Sequence, residues 1–290
     1  MPVGEQSRRF VLVLLPPKYR QHMSVFQEIA EVIAAGLHEL GYETATLERE
    51  FLEGERHIVF GPHLLHAEHA ETIPDTSILY NFEPLHPPRD HFRTFIETFV
   101  PRFEVWDYSV NNVESLRRSV QGGAIRHVPF GYAPVLTRIV PATSQDIDVL
   151  FYGSLSPRRE RALDALRARG LTVFAVNELY GEERDGFIAR AKVVLNVAFH
   201  EDARNFETPR IVYLLANRKA VVTERCVGVT IDADLEPLLI AAPFDDLAEA
   251  CARLVADTQR RHALEEAGFS GIQQRRESQI LAAALGKEHP

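Results

Sequence analysis

The amino-acid sequence predicts an α/β fold in which two domains each contain a parallel β-sheet flanked by helices. Short apolar runs without polar alternation recur along the chain, and such runs are typical of strands that are buried on both faces. Segments with apolar residues at helical spacing separate these runs, as crossovers between parallel strands require. The length of 290 residues fits two domains of ordinary size.

The first half of the chain is expected to form one sheet. Its first strand is the run FVLVLL at 10–15, and a helix follows over 24–40 with Gly41 as its C-terminal cap residue. Further strands are predicted at 57–60, 78–80, 103–106 and 126–128. The stretch 135–145 has little periodicity and precedes a new strand, so the predicted domains span 1–137 and 138–290.

The second half alternates strands and helices more regularly. Strands are predicted at 147–152, 172–176, 193–199, 220–223 and 238–241. Helices are predicted at 157–169, 183–191, 209–216 and 246–256. The expected architecture is two Rossmann-like domains facing each other across a cleft, with ligands bound at the carboxyl ends of the strands and in the cleft.

Composition and charge exclude several classes of protein. The chain carries 32 Lys and Arg against 41 Asp and Glu, a net charge of -9, so it lacks the positive field that attracts nucleic acid or an anionic membrane surface. The N-terminal apolar run is too short for a signal peptide or a membrane span. Cys226 and Cys251 form no CxxC pair, and we expect them to be reduced packing residues. These features predict a cytoplasmic protein with no integral membrane segment and no nucleic-acid partner.

An anion site is predicted where the strand 147–152 leads into the next helix. Gly153 and Ser154 follow the strand, Ser156 is placed as the helix N-cap, and Arg158 and Arg159 fall in the first turn. Cations in a first turn oppose the helix dipole unless an anion is bound there. Free backbone N–H groups, a glycine and guanidinium groups together favour phosphate or diphosphate. The alternative is a solvated basic turn with a structural glycine.

A second polar segment joins the strand 193–199 to the helix that begins near Pro209. It contains His200, Asn205, Glu207 and Arg210, at the ligand-binding end of the predicted sheet. A carboxylate such as that of Glu207 suits the paired hydroxyls of a ribose. The alternative for Glu207 is a residue at the start of a helix that complements the dipole.

Three residues of the first half are candidates for a general base. Glu83 follows the strand 78–80, Asp107 follows the strand 103–106, and His63 follows the strand 57–60. Each has a structural alternative: Glu83 as an exposed loop acid, Asp107 as a cap, and His63 as a packing residue. Their common position at strand ends favours a shared site.

The sequence lacks the motifs of several common enzyme classes. The sequence contains no GxGxxG, GxxxxGK[ST] or GxSxG pattern, which argues against a nicotinamide dehydrogenase, a P-loop NTPase and a serine hydrolase. His63, His66 and His69 lie three residues apart, but without an HExxH pattern we interpret them as a polar helix face rather than as metal ligands. Asp232 and Asp234 are interpreted as turn residues. We therefore predict no metal and no cofactor.

Several segments of the chain together resemble the two-domain GT-B glycosyltransferases, with a C-terminal domain like that of families 1 and 4. The second-half segments are DVLFYGSLSPRRERALDALRARG, ARAKVVLNVAFHE, FETPRIVYLLANRKAVVTE and APFDDLAEACARLVADTQRRHALEEAG. The first-half segments ILYNFEP, EVWDYSVNNVESL and HVPFGYAP are similar to those of a subset of bacterial enzymes of this class. In this family's pattern, Tyr213 stands where a ribose-binding Glu is usual and Asn217 where a Gly is usual.

The resemblance implies a metal-independent transfer of a sugar from a nucleoside-diphosphate sugar to an acceptor hydroxyl. It implies that Gly153, Arg158 and Arg159 hold the donor diphosphate and that Glu207 and Arg210 lie near the donor nucleotide. An inverting enzyme needs an acceptor-side base, for which Glu83, Asp107 and His63 are the candidates, whereas a retaining enzyme need not have one. The donor nucleotide, the acceptor, the stereochemistry and the oligomeric state stay open. Two alternatives are a non-catalytic nucleotide- or sugar-binding protein and a GT-B-shaped sugar nucleotide epimerase.

Overall fold

The computed structural model describes residues 8–16, 23–86 and 90–287. The chain divides into two compact units. Unit 1 comprises Met1–Ala133 together with Glu277–Pro290, and unit 2 comprises Pro134–Arg276. Each unit contains its own parallel sheet, so the predicted α/β class is confirmed.

Unit 1 is built on six parallel strands in the order β2-β1-β3-β4-β5-β6. The apolar runs of β1 and β3 are buried at the centre of the sheet, which is why they lack polar alternation. Two elements between β1 and β6 were not predicted. The strand β2 lies at the sheet edge and is largely polar, and the helix α2 buries only a narrow apolar face. The bounds are β1 Arg9–Leu14, α1 Met23–Glu39, β2 Glu43–Glu48, β3 Arg56–Phe60, β4 Ile78–Asn81, β5 Glu104–Asp107, α2 Val110–Ser119 and β6 Ala124–His127.

Unit 2 is built on five parallel strands in the order β11-β10-β9-β7-β8. Its elements up to α6 follow the predicted alternation, although β9 ends at Asn196, so that the last residues of the predicted strand 193–199 belong to the following loop. The helix α7 was not predicted. None of the helices in the described part of the chain is long and apolar enough to cross a membrane. The bounds are β7 Ile147–Tyr152, α3 Pro157–Arg167, β8 Val173–Val176, α4 Gly181–Arg190, β9 Ala191–Asn196, α5 Thr208–Ala216, β10 Ala220–Glu224, β11 Ile240–Ala242, α6 Leu247–Ala256 and α7 Thr258–Ile272.

The end of the chain returns to unit 1 as the helix α8, Glu277–Ala284. The backbone N–H of Glu277 donates to the carbonyl oxygen of Tyr132 at 2.9 Å, and Glu277 Oε2 accepts from the N–H of Gly131 at 2.6 Å. The helix then packs on α1 at Gly36, where the lack of a side chain permits close approach. The predicted second domain, 138–290, therefore differs from unit 2 at its end. The pairing of two distant segments gives no local sequence signal.

The segment that follows Ala133 is held to unit 2 by Asn217. The side-chain Oδ1 of Asn217 accepts from the N–H groups of Arg138 and Ile139 at 3.0 and 2.8 Å, and its Nδ2 donates to the carbonyl oxygen of Leu136 at 2.8 Å. Residues 136–139 are thus fixed by hydrogen bonds. The predicted boundary after residue 137 falls within this segment, a few residues later than the division of the structure after Ala133.

The two cysteines are free thiols. Cys251 lies in the apolar core of unit 2, where burial raises the pKa of its thiol to about 12. Burial also raises the pKa of Cys226 to about 12, with a further contribution from Glu224. Both are protonated at neutral pH and lack the thiolate character of a reactive cysteine.

Replacement of Gly36 by Ala is expected to destabilise unit 1. A Cβ at Gly36 would lie 2.9 Å from Leu281 Cδ1 and 3.2 Å from the backbone N of Ser278, so α1 and α8 would have to separate. We expect a loss of about 1 to 3 kcal/mol in thermal or urea unfolding. Gly186→Ala in α4 is the matched control, because no atom lies within 4 Å of its added Cβ. That variant should gain about 0.5 to 1 kcal/mol; equal behaviour of the two variants would contradict the packing argument.

Candidate functional site

Gly153 lies at the carboxyl end of β7, beneath two guanidinium groups. Its φ of +133° is a conformation that side-chain-bearing residues rarely adopt. A Cβ at this position would lie 3.3 Å from Nη2 of Arg210 and 3.7 Å from Nη1 of Arg159. The glycine therefore lets both cations come close to the backbone at the end of the strand; that this place binds an anion stays a prediction.

Arg159 is buried and held by the backbone of two loops. Ser156 is the N-cap of α3 and Pro157 its first residue, which confirms the predicted start of this helix. Nε of Arg159 donates to the carbonyl oxygen of Val197 at 2.9 Å, and Nη1 donates to that of Ser154 at 2.8 Å. The side chain is 5% exposed. Burial lowers the pKa of its guanidinium, and the nearby Glu207 raises it. The cation is thus fixed in position and only partly neutralised.

Arg210 brings a second cation to the same place from α5. Its Nη1 donates to the carbonyl oxygen of Tyr152 at 2.7 Å, and its guanidinium stacks over the Tyr152 ring at 4.6 Å. The carboxylate of Glu207 bridges the two arginines: Oε2 lies 2.8 Å from Nε of Arg210, and Oε1 lies 3.3 Å from Nη2 of Arg159. Glu207, Arg210 and Arg159 therefore form one cluster with a net positive charge.

Arg158 differs from its predicted role. It forms a two-pronged ion pair with Glu224 at the end of β10, with Nη1 2.7 Å from Oε2 and Nη2 in contact with Oε1. Its guanidinium stacks on the Phe244 ring at 4.1 Å, and Glu224 also accepts from the N–H of Ala198 at 3.1 Å. The charge of Arg158 is thus balanced inside the protein. The sequence of α3 alone gives no sign of this ion pair, because the acid that balances Arg158 lies on the distant strand β10.

The loop between β9 and α5 carries the remaining predicted residues of unit 2. Both polar atoms of the Asn205 amide are buried and have no hydrogen-bond partner. A buried unsatisfied amide costs about 1 to 3 kcal/mol, so a bound molecule that pairs with it would gain affinity. His200 contacts Phe199, with ring centroids 4.7 Å apart. Ser154 lies in a different loop, between β7 and α3, where its carbonyl oxygen accepts a hydrogen bond from Arg159.

A third arginine near the cluster was not predicted. Arg184 of α4 is buried, stacks over the Tyr213 ring at 4.3 Å and pairs with Asp185 at 2.8 Å. The hydroxyl of Tyr213 donates to Asp185 Oδ2 at 2.7 Å. Burial raises the pKa of Tyr180, whereas the positive charges of Arg210 and Arg184 lower it. The polar sequence of α4 predicts a solvated helix. The burial of Arg184 depends on its contact with Tyr213, which is distant in sequence.

In unit 1, Asp107 is the centre of a buried hydrogen-bond cluster. It lies at the end of β5, directly opposite Asn81 of the neighbouring strand β4. Asn81 Nδ2 donates to Asp107 Oδ2 at 2.7 Å, Asn112 Nδ2 donates to the same oxygen at 3.0 Å, and the N–H of Ser109 donates to Oδ1 at 2.8 Å. Burial raises the pKa of Asp107 to about 7, against these hydrogen bonds, which lower it.

The same cluster fixes the backbone around Glu83. The carbonyl oxygen of Glu83 accepts from Asn81 Nδ2 and from Asn112 Nδ2, both at 2.9 Å, and the N–H of Leu85 donates to Asn112 Oδ1 at 3.1 Å. Asp107 is completely buried, whereas Glu83 is partly exposed. The two candidate bases thus have different positions. Asp107 orients the segment that carries Glu83, and Glu83 is the more exposed of the two acids.

His63 lies in a short 3-10 helix, Pro62–Leu64, after β3. Its Nδ1 is buried without a hydrogen-bond partner, and its ring contacts His91 and Phe92. Burial, with a smaller effect of His91, lowers the pKa of His63 to about 4. The imidazole is therefore neutral at pH 7 and a weak base.

His66 and His69 do not form the predicted polar helix face with His63. Both belong to the next 3-10 turn, where the N–H of His66 donates to His69 Nδ1 at 2.9 Å. Within the described residues, no group of three or more His, Cys, Asp or Glu side chains is arranged to hold a metal ion. Asp232 and Asp234, interpreted from the sequence as turn residues, both pair with Arg275.

Comparison of the sequence finds uncharacterized viral relatives. No protein-family model matches the chain. An uncharacterized protein of Acanthamoeba polyphaga mimivirus is 21% identical over 245 residues, which are 82% of this chain and 76% of that protein. A second uncharacterized mimivirus protein is 30% identical over 127 residues, but these cover 42% of this chain and 14% of that protein. These relatives are viral, so the predicted bacterial origin is not confirmed.

Solved structures are similar over nearly the whole chain. Anabaena HepE, determined in complex with UDP and glucose, has a TM-score of 0.63 at 13% identity, over 95% of this chain and 99% of that chain. Sucrose-phosphate synthase from Thermosynechococcus elongatus has a TM-score of 0.61 at 12% identity, over 96% and 98% of the two chains. A glycosyltransferase from Rickettsia africae has a TM-score of 0.61 at 8% identity, over 96% and 97%.

The chain has the GT-B fold. At these identities the similarity establishes the fold alone, and the chemistry has to be argued from the residues described above. In a GT-B fold the parallel sheets present their carboxyl ends to ligands. The cluster of Gly153, Arg159, Glu207 and Arg210 lies at that edge of unit 2, and the cluster around Asp107 lies at the corresponding edge of unit 1.

Replacement of Asp107 by Asn is expected to destabilise unit 1. All three partners donate hydrogen bonds to the carboxyl group, and an amide in its place would direct its own N–H groups at Asn81 and Asn112. We expect a loss of about 2 to 3 kcal/mol in urea unfolding. Asp90→Asn is the control, because Asp90 forms an exposed ion pair with Arg93. Equal stability of the Asp107→Asn variant and the wild type would show that the cluster is not structural.

His63 should make the fold sensitive to acid. Because its pKa is lowered in the folded protein, the unfolded chain binds more protons between pH 6.5 and about 4, and stability falls as the pH falls through this range. Relative to His63→Phe, the wild type should lose up to about 3 kcal/mol at pH 4. The difference between the two unfolding curves at each pH removes the contributions of other groups. Parallel pH profiles would contradict the burial of a neutral imidazole.

Proposed function

We propose that this protein is a glycosyltransferase that moves a sugar from a nucleoside-diphosphate sugar to an acceptor hydroxyl without a metal ion. The observation that carries the proposal is the convergence of Arg159 and Arg210 over Gly153, at the ligand-binding edge of a GT-B fold. Structural neighbours support the donor class, since Anabaena HepE is solved with UDP-glucose and with UDP. That the present protein is bacterial and cytoplasmic stays a prediction from the sequence.

The leaving diphosphate accounts for the residues of unit 2. When the bond between the sugar and the diphosphate breaks, negative charge develops on the departing phosphate, and positioned cations stabilise it. Arg159 is held rigidly by backbone carbonyls, so it needs no reorganisation to do this. Arg210 adds a second charge, and Gly153 lets both guanidinium groups lie close to the end of β7. This charge replaces that of a metal ion in the proposal.

The loop residues around the cluster would complete the donor site. Asn205 offers both an N–H and a carbonyl oxygen that lack partners, which suits a sugar or ribose hydroxyl. Ser154 and His200 belong to the two loops that flank Arg159 and Arg210. Arg158 is assigned a positioning role instead, because its ion pair with Glu224 joins the start of α3 to the end of β10.

Glu83 is our candidate for the acceptor-side base. The hydrogen bonds from Asn81 and Asn112 hold its backbone, and Asp107 in turn orients these two amides. A base must lie in a defined position to accept a proton from the acceptor hydroxyl. His63, neutral and weakly basic, is less suited to the task. In a retaining enzyme Glu83 would position the acceptor rather than remove its proton.

Arg210→Gln should weaken nucleoside diphosphate binding more than tenfold, a change of about 1.4 kcal/mol or more, because it removes a guanidinium partner of the diphosphate. A thermal-shift screen of the wild type against UDP, GDP, dTDP and CDP first identifies the nucleotide, and calorimetry then measures both proteins. Arg253→Gln is the control, since Arg253 is an exposed arginine of the same unit paired with Glu249. Equal affinity of wild type and Arg210→Gln would refute the proposed site.

Turnover separates an enzyme from a non-catalytic binding protein. The matching nucleotide sugar, incubated with the wild type, should release the nucleoside diphosphate slowly by transfer to water and faster with a hydroxyl acceptor. Glu83→Gln should then lower the acceptor-dependent rate while the donor Kd is unchanged. Binding without any release of the diphosphate would favour the non-catalytic alternative, and conversion of the sugar without cleavage would favour an epimerase.

A further inference from the structure

Glu207 balances the charge of the two arginines assigned to the donor diphosphate. Each of its carboxylate oxygens takes one guanidinium, with Oε1 accepting from Arg159 and Oε2 contacting Arg210. The other hydrogen bonds of Arg159 go to backbone carbonyls, which carry no net charge. Glu207 therefore occupies the position in which an anionic ligand would be most strongly stabilised.

The structure gives the Glu207 side chain no other fixed function. Glu207 is the N-cap residue of α5, but its side chain forms no capping hydrogen bond to that helix. The carboxylate side chain is 34% exposed, in contrast to the buried Arg159. The Glu207 carboxylate is therefore the more exposed partner of the pair, whereas the Arg159 guanidinium is held by two backbone carbonyl oxygens.

A carboxylate and a diphosphate compete for these arginines. Both anions recognise a guanidinium by pairing oxygens with its N–H groups, so the two cannot use the same N–H groups at once. If the carboxylate stays in place beside the diphosphate, the two negative charges repel each other. In either case Glu207 lowers the affinity of the site for a diphosphate.

We infer that Glu207 is a resident counter-ion of the diphosphate site, which the incoming diphosphate displaces and which returns as the product leaves. The inference rests on the proposed function for the identity of the diphosphate. It gives Glu207 an effect opposite to that of a ribose ligand, because it weakens the binding of the nucleoside diphosphate product. By taking back the two guanidinium groups, the carboxylate speeds product release.

The test compares the wild type with Glu207→Gln, which keeps the size of the side chain and removes its charge. Calorimetry with inorganic pyrophosphate and with the nucleoside diphosphate found in the screen measures both affinities. We expect both ligands to bind at least fivefold more tightly to the variant, and product inhibition by the nucleoside diphosphate to strengthen by a similar factor. Glu201→Gln is the matched control, an exposed acid in the same loop, and should leave both affinities unchanged.

The two ligands distinguish the possible outcomes. Unchanged, weaker or undetectable pyrophosphate binding by Glu207→Gln overturns the inference. A weaker affinity for the nucleoside diphosphate alone identifies Glu207 as a nucleoside ligand and also overturns it. Tighter pyrophosphate binding by a protein that transfers no sugar supports the inference and refutes the proposed function. Glu207→Ala repeats the measurement without the side-chain amide, and a thermal unfolding curve confirms that each variant is folded.

Discussion

The close approach of two guanidinium groups to the backbone of Gly153 is the constraint on which the unit 2 site depends. Any side chain at this position would meet Arg210 and Arg159, and the φ of +133° would be strained for any other residue. The arginines in turn hold the strand end in place, since Arg210 donates to Tyr152 and Arg159 to Ser154. The positions of the strand end, the turn and the two arginines therefore depend on one another. Both positive charges can lie close together here because Gly153 has no side chain.

Buried polar groups at the strand ends differ in whether they have hydrogen-bond partners within the protein. Asp107 is completely buried but receives hydrogen bonds from Asn81, Asn112 and Ser109, so its burial organises the neighbouring loop. The Asn205 amide and His63 Nδ1 are buried without hydrogen-bond partners. A buried cluster whose polar groups are hydrogen-bonded to one another is typical of a structural support. A buried polar group without a partner is a candidate for binding a ligand. On this basis the Asp107 cluster supports the neighbouring loop, and Asn205 stays a candidate contact for the proposed donor.

Local sequence signals predicted the elements that are determined locally. The apolar runs of β1, β7 and β9 are buried in the sheets, and the Ser156–Pro157 pair marks the start of α3. The predictions were poorer where the cause lies far along the chain. Arg158 looks unbalanced within its own helix because its partner Glu224 belongs to another strand, and Arg184 looks solvated because Tyr213 is distant in sequence. The edge strand β2 was missed because it is polar and buries little.

The return of α8 to unit 1 has a consequence for the order in which the protein folds. During synthesis, all of unit 2 emerges from the ribosome before Glu277, so the α1 surface at Gly36 is covered, and Gly131 gains its carboxylate partner, only after residues 134–276 have been made. Unit 2 is one continuous segment, 134–276, and its core needs no residue that lies after Arg276. Unit 1 is thus built from two segments that unit 2 separates in sequence, and a nascent chain that stops short of Glu277 leaves the α1 surface at Gly36 uncovered.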